Sequence, residues 1–223
     1  MSHATESTPQ VWTAAQLAER FGEIPLNRIR HDPLPGLATE QHVIEIHAHE
    51  KRLYELIEGV LVEKTVGTYE CSLAALIVQI LGSFVRGKNL GVVLAADGMM
   101  RLFLGTVRIP DVSYISWERW PHEQVMQEAI ADLAPELAVE VISPGNTEKE
   151  MADKLRDYFN AGVRLVWYIY PSSREVKVYT SPDNLTLLNE QQALDGGDVL
   201  TGFQLELREL FAEPRREDSN YSK

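Results

Sequence analysis

The chain has 223 residues, 44% of them hydrophobic and 24% charged, with a formal net charge of −12. That length and balance describe one globular domain with a sizeable core, or one domain with a small appendage, and exclude a disordered chain. The single cysteine, Cys71, excludes an internal disulfide and a thiolate zinc cluster, and the acid excess weighs against tight nonspecific DNA binding.

The N-terminus, MSHATESTPQ, has neither the basic nor the apolar stretch of a secretory leader, so a cytoplasmic protein is expected. WTAAQLAERF has helical spacing with Thr13 as N-cap, and the prolines and glycine of NRIRHDPLPGLAT then interrupt regular structure. The segment up to VLVEK is expected to end in a hairpin at Glu58 and Gly59. An amphipathic helix over about 69 to 86 follows, with Leu73, Leu76, Ile77, Ile80, Leu81 and Phe84 on one face. Its most apolar part, LAALIVQILGSFV, is short for a membrane span and carries Gln79 and Ser83. GVVLAA, MMRLFL and VRIPDVSYI read as strands, and Asp97 with Gly98 as a tight turn. ERWPHEQVMQEAIADLAPE reads as a loop and a surface helix. LAVEV and RLVWYIY read as buried strands on either side of a helix over about 148 to 160. EVKVYT and LTLLNE read as an antiparallel pair joined by SPDN, and one further strand and a short helical end close the domain. The pattern is that of an α/β protein with a mixed sheet (α+β in places), lacking a dinucleotide fingerprint or a P-loop.

Two carboxylates stand out. Glu140 interrupts the apolar run Leu137, Ala138, Val139, Val141, Ile142, and an ionised carboxylate in a buried strand costs several kcal/mol without compensation. Asp111 follows Pro110 at a strand entrance, where turn chemistry is the ordinary explanation. On neighbouring strands the two would converge at one end of a sheet and hold a hard divalent cation through oxygen. In the helix that follows Glu140, Thr147 and Glu150 form a capping box and Gly162 provides the stop. Met151, Leu155, Tyr158 and Phe159 make its apolar stripe. Lys154 lies at the edge of that stripe, while Lys149, Arg156 and Asp157 fall toward solvent. Lys154 is therefore the cation able to lean over the preceding strand, a position that a snorkelling core-margin lysine also occupies.

YELIEGVLVEK, VRIPDVSYIS, LAVEVISPGNT and DKLRDYFNAGVRLVWYI, in that order, resemble the Uma-two-type restriction endonuclease family of the PD-(D/E)XK nuclease superfamily. The resemblance covers about residues 45 to 210. It implies a restriction-endonuclease-like core, a central mixed sheet flanked by helices, over residues 41–212. Residues 1–40 would then supply an N-terminal helix and connection, and 213–223 a polar tail. It implies a metal-dependent endonuclease acting on DNA, with Asp111, Glu140 and the main-chain carbonyl of Val141 as ligands of Mg²⁺ or Mn²⁺. The superfamily lysine two residues beyond the Glu is missing, since Ile142 stands there, and Lys154 is the residue that fits its role. Glu55 matches an upstream acidic residue that serves as a further metal or water ligand, and a solvated hairpin charge explains it equally. Glu70 sits near a position where relatives carry histidine, though a helix-dipole role at the first turn suffices. The resemblance also implies a homodimer.

The competing readings are an inactive nuclease-fold binding module, favoured by the acidic surface and the displaced lysine, another metal-dependent phosphohydrolase, and an oligomerisation domain using Trp117 and Trp120. His42, His47 and His49 cluster, with His47 and His49 alternating as on a strand face. They lack the third well-spaced ligand of a zinc site. No helix-turn-helix, zinc finger or basic arm is visible in the sequence.

Overall fold

A computed structural model describes residues 10–65, 67–120 and 128–212. The chain opens with α1 (Ala14–Phe21), capped reciprocally by Thr13 and Gln16, and a 3-10 turn at Leu26–Arg28. α2 (Glu40–Glu50) follows, then the hairpin β1 (Tyr54–Ile57) and β2 (Val60–Glu63). Glu58 and Gly59 both have positive φ, the geometry of a tight turn matching strand twist. Gly36 and Ala38 donate their N–H groups to the Gly59 carbonyl, and a Cβ on Gly59 would meet Gly36 backbone at 2.5 Å. Leu17, Phe21, Ile24 and Ile29 pack on Ile57, Val60 and Val62, seating the N-terminal segment against the hairpin.

α3 (Thr68–Gly87) leads to β3 (Gly91–Leu94), β4 (Met100–Phe103), β5 (Thr106–Arg108) and β6 (Val112–Ser116). β7 (Leu137–Val141), α4 (Glu148–Asn160) and β8 (Leu165–Tyr170) form a crossover unit, β7 and β8 being parallel. β9 (Glu175–Ser181), β10 (Asn184–Asn189), β11 (Ala193–Gly196), β12 (Leu200–Glu206) and α5 (Leu207–Leu210) are the last elements of the described residues. The strands form a four-stranded sheet, β2-β1-β5-β4, a six-stranded mixed sheet, β10-β9-β8-β7-β6-β3, and the β11-β12 pair. Ile109, Pro110 and Asp111 carry the chain from the first sheet into the second.

The six-stranded sheet is covered on both faces, so β7 is buried along its whole length and reads as an apolar run broken by Glu140. Leu137, Val139 and Val141 face the core shared with Leu73, Ile77 and Leu81 of α3 and with Phe203 and Leu205 of β12. Ala138 faces the opposite way, with Met151, Leu155 and Tyr158 of α4. By strand alternation Glu140 shares the α4 side. α3, at 20 residues and a mean hydropathy of 1.5, reaches the length and apolarity of a membrane span, more than the sequence reading allowed. Its Leu73, Ile77, Leu81 and Val85 stripe nevertheless packs into the sheet core.

Three local expectations are corrected. His42, His47 and His49 lie on α2, where the Thr39 cap engages His42 Nδ1, and not on a strand. The closing segment forms two paired strands, because Gly196 and Gly197 turn the chain back on itself. The surface helix expected between Glu118 and Glu136 falls partly on 121–127, outside the described residues, and 128–136 contains no helix.

Candidate active site

Five charged side chains meet at the junction of the two sheets, each delivered by a different part of the chain. Glu55 comes from β1, and Lys64 from the end of β2. Asp111 comes from the crossing segment, Glu140 from β7 and Lys154 from the second turn of α4. The helix is started by the expected capping box, Thr147 accepting from the Glu150 N–H while the Glu150 carboxylate accepts from the Thr147 N–H. Arg28 also grips Glu150 with two guanidinium nitrogens and donates to the Gly145 and Glu63 carbonyls. These contacts fix where α4 begins and thereby where Lys154 points.

Lys154 Nζ lies 2.7 Å from Glu140 Oε1 and 2.8 Å from Glu55 Oε1. Tyr158, one turn later, donates its hydroxyl to the same Glu140 oxygen. Glu55 further accepts from the Ile109 N–H at 2.9 Å and from Arg108 at 2.8 Å. Arg108, 1% exposed, also binds Asp157. Asp111 lies beside β7: its N–H donates to the Val139 carbonyl, and its Oδ2 accepts from the Val141 N–H at 2.7 Å. Its Oδ1 takes an ion pair from Lys64 Nζ at 2.8 Å. Glu55, Asp111, Glu140, Lys64 and Lys154 line one narrow cavity with about 10 Å³ open to a water-sized sphere, room for about one water or one ion.

The electrostatics separate the carboxylates. Burial alone would raise Glu55, but Lys154, Arg108 and Lys64 outweigh it and hold the carboxyl at about 2. For Glu140 burial dominates, and repulsion from Asp111 and Glu55 adds to it. Against the pull of Lys154 and Lys64 the carboxyl is pushed up to about 7. Burial likewise lifts the Tyr158 hydroxyl, with the negative charge of Glu140 adding to the shift. Lys154 loses to burial but gains more from Glu140 and Glu55, and its pKa is raised.

Of the residues singled out from sequence, Glu55, Asp111, Glu140 and Lys154 meet here. The main chain of Val141 joins them through its N–H. Glu70 does not: it stays on the first turn of α3, its carboxylate folded back toward Gly67 at the N-cap. Asp157 departs from its solvent assignment, because Arg108 reaches out of β5 to pair with it. Lys64, Arg108 and the Tyr158 hydroxyl went unnoticed in the sequence. Arg108 carries the same signal that marks Glu140, a charge between apolar strand residues, in Val107-Arg108-Ile109. Lys64 carries no local signal, since it follows a strand whose end is solvent-facing in pattern.

A mixed sheet flanked by helices, with carboxylates gathered at one end of its central strands, defines the nuclease-like class of fold. Residues 40–208 match the family Uma2, "Putative restriction endonuclease", and the chain belongs to that family. Among solved structures, a protein described as "a putative nuclease belonging to DUF820" from Anabaena variabilis ATCC 29413 superimposes with a TM-score of 0.65. It is 19% identical, with 72% of this chain and 90% of that one covered. No curated protein matches the chain.

Proposed function

We propose that this chain is a metal-dependent endonuclease hydrolysing phosphodiester bonds in DNA, acting as a cytoplasmic homodimer. The observation that carries the reading is the meeting of Asp111, from the segment entering β6, and Glu140, from the adjoining β7, beside Lys154. Two carboxylates and the main-chain oxygen of Val141 are a hard-oxygen donor set suited to Mg²⁺ or Mn²⁺. The raised Glu140 carboxyl supports this, because burial opposes its charge, with repulsion from Asp111 and Glu55 adding to it, and a divalent cation would offset that cost. Both contacts on Glu140 fall on Oε1, leaving Oε2 to a cation.

A cation bound there would supply Lewis acidity toward the scissile phosphate and lower the pKa of water. The chain's own groups do the rest. Lys154 orients the attacking water and balances charge developing on the phosphate oxygens. Glu55 keeps the Lys154 ammonium protonated and in place, and Arg108 fixes Glu55. Tyr158 sets the rotamer of Glu140 through its hydroxyl.

Calorimetric titration of Mg²⁺ and Mn²⁺ into wild type, Asp111→Ala and Glu140→Ala, with plasmid nicking on the same samples, tests the reading. Binding and nicking in wild type, both lost in the variants, are expected. Neither event in wild type would overturn it in favour of an inactive nuclease-fold module. One observation favours that alternative: lysines already neutralise both carboxylates.

A further inference from the structure

Lys64 has no part in that scheme, yet it lines the same cavity. Asp111 has two oxygens, and Oδ2 is committed to the Val141 N–H at 2.7 Å. The oxygen left for a cation is Oδ1, and Lys64 Nζ lies 2.8 Å from it. The ammonium is held on its other side by the Ile109 carbonyl at 2.5 Å, and its side chain is only 7% exposed. Its charge also acts on the carboxyls of Glu55 and Glu140, against the effect of burial. A small cavity cannot hold this ammonium and a divalent cation on the same oxygen without strong like-charge repulsion. Lys154 differs in geometry, since it rests on Glu140 and Glu55 and leaves Asp111 alone.

We propose that Lys64 is a tethered monovalent cation seated on Asp111 Oδ1, in competition with the divalent cation for that oxygen, so that metal loading requires the ammonium to leave it. This rests on the metal-dependent reading above. In the metal-free protein Lys64 keeps the buried carboxylate compensated. When metal enters, the ammonium is released into the cavity mouth, beside any phosphate that has approached.

The test is Mn²⁺ affinity by calorimetry for wild type, Lys64→Met and Lys64→Arg. Lys64→Met keeps the aliphatic stem without the charge, and is expected to bind Mn²⁺ on the order of tenfold more tightly than wild type. Lys64→Arg, which retains a cation, stays near wild type. Equal or weaker binding by Lys64→Met overturns the inference and leaves the nuclease reading standing. Binding by Lys64→Met with none by wild type supports the inference and removes that reading. No binding by either overturns both. A second measurement uses the wild-type protein alone, so it holds even if the variant misfolds. Reductive methylation of Lys64, mapped by mass spectrometry, is expected to accelerate when Mn²⁺ is added, and an unchanged rate overturns the displacement.

Discussion

Glu140 shows how one residue can be held in an unfavourable place by its neighbours. It is 4% exposed, and its compensation comes from Lys154 and Tyr158, both on a helix that begins eight residues later in the chain. The compensation is incomplete, which is why its carboxyl sits near 7 and not at its ordinary 4.5. A carboxyl raised on folding binds more protons in the folded than in the unfolded state between those two values. The stability it lends is therefore present below about 4.5 and lost as pH rises to about 7. Glu55, lowered to about 2, works the other way: its contribution is present above 4.5 and lost as pH falls toward that value. Replacing Glu140 by Gln removes the first dependence. Urea unfolding in the presence of a chelator is then expected to show a shallower decline between pH 4.5 and 7 than wild type, and a decline as steep as wild type's would rule this origin out.

At the scale of elements, α4 positions the chemistry, and Glu150 does two jobs in starting it. Its carboxylate caps the helix at the Thr147 N–H and neutralises Arg28, whose guanidinium is nearly buried. Thr147→Ala removes only the cap and is expected to cost about 1 kcal/mol. Glu150→Ala also strands the Arg28 charge, so a cost of about 3 kcal/mol or more follows. Chemical denaturation of the two variants checks the order, which a pure capping role for Glu150 would make nearly equal. The capping box, the Gly162 stop and the apolar stripe of α4 are all legible in the sequence because they are local. What the helical wheel misassigned is Asp157, since its position relative to solvent depends on an arginine arriving from β5.

For the whole molecule, the acid excess and the proposed polyanionic substrate oppose one another. A chain carrying −12 repels DNA at long range, and the site itself is built from carboxylates. Divalent cation should therefore contribute to binding as well as to chemistry. Fluorescence anisotropy with a short labelled duplex is expected to show weak binding in chelator. Affinity should rise on the order of tenfold when Mn²⁺ is present, with no rise for Asp111→Ala. Equal affinity with and without the ion would place the DNA contacts elsewhere on the surface.

The sequence by itself determined the capped starts of α1 and α4, the hairpin turn at Glu58 and Gly59, the buried strand around Glu140, and the ordered motifs by which family membership is recognised. These depend on residues within a few positions of one another, where spacing alone carries the physics. It also marked Glu140 as a charge inside an apolar run, Asp111 as the residue after Pro110 at a strand entrance, and Lys154 as the cation at the edge of a helical stripe, all visible without coordinates. Only the tertiary structure decided that Glu55 is buried, that Arg108 and Tyr158 support the carboxylates, and that Glu70 stays with its helix. It also placed Lys64 on Asp111, a contact between residues 47 positions apart. Ion pairs between distant elements leave no trace of which residues pair, and the neighbourhood of Lys64 looks like an ordinary strand end.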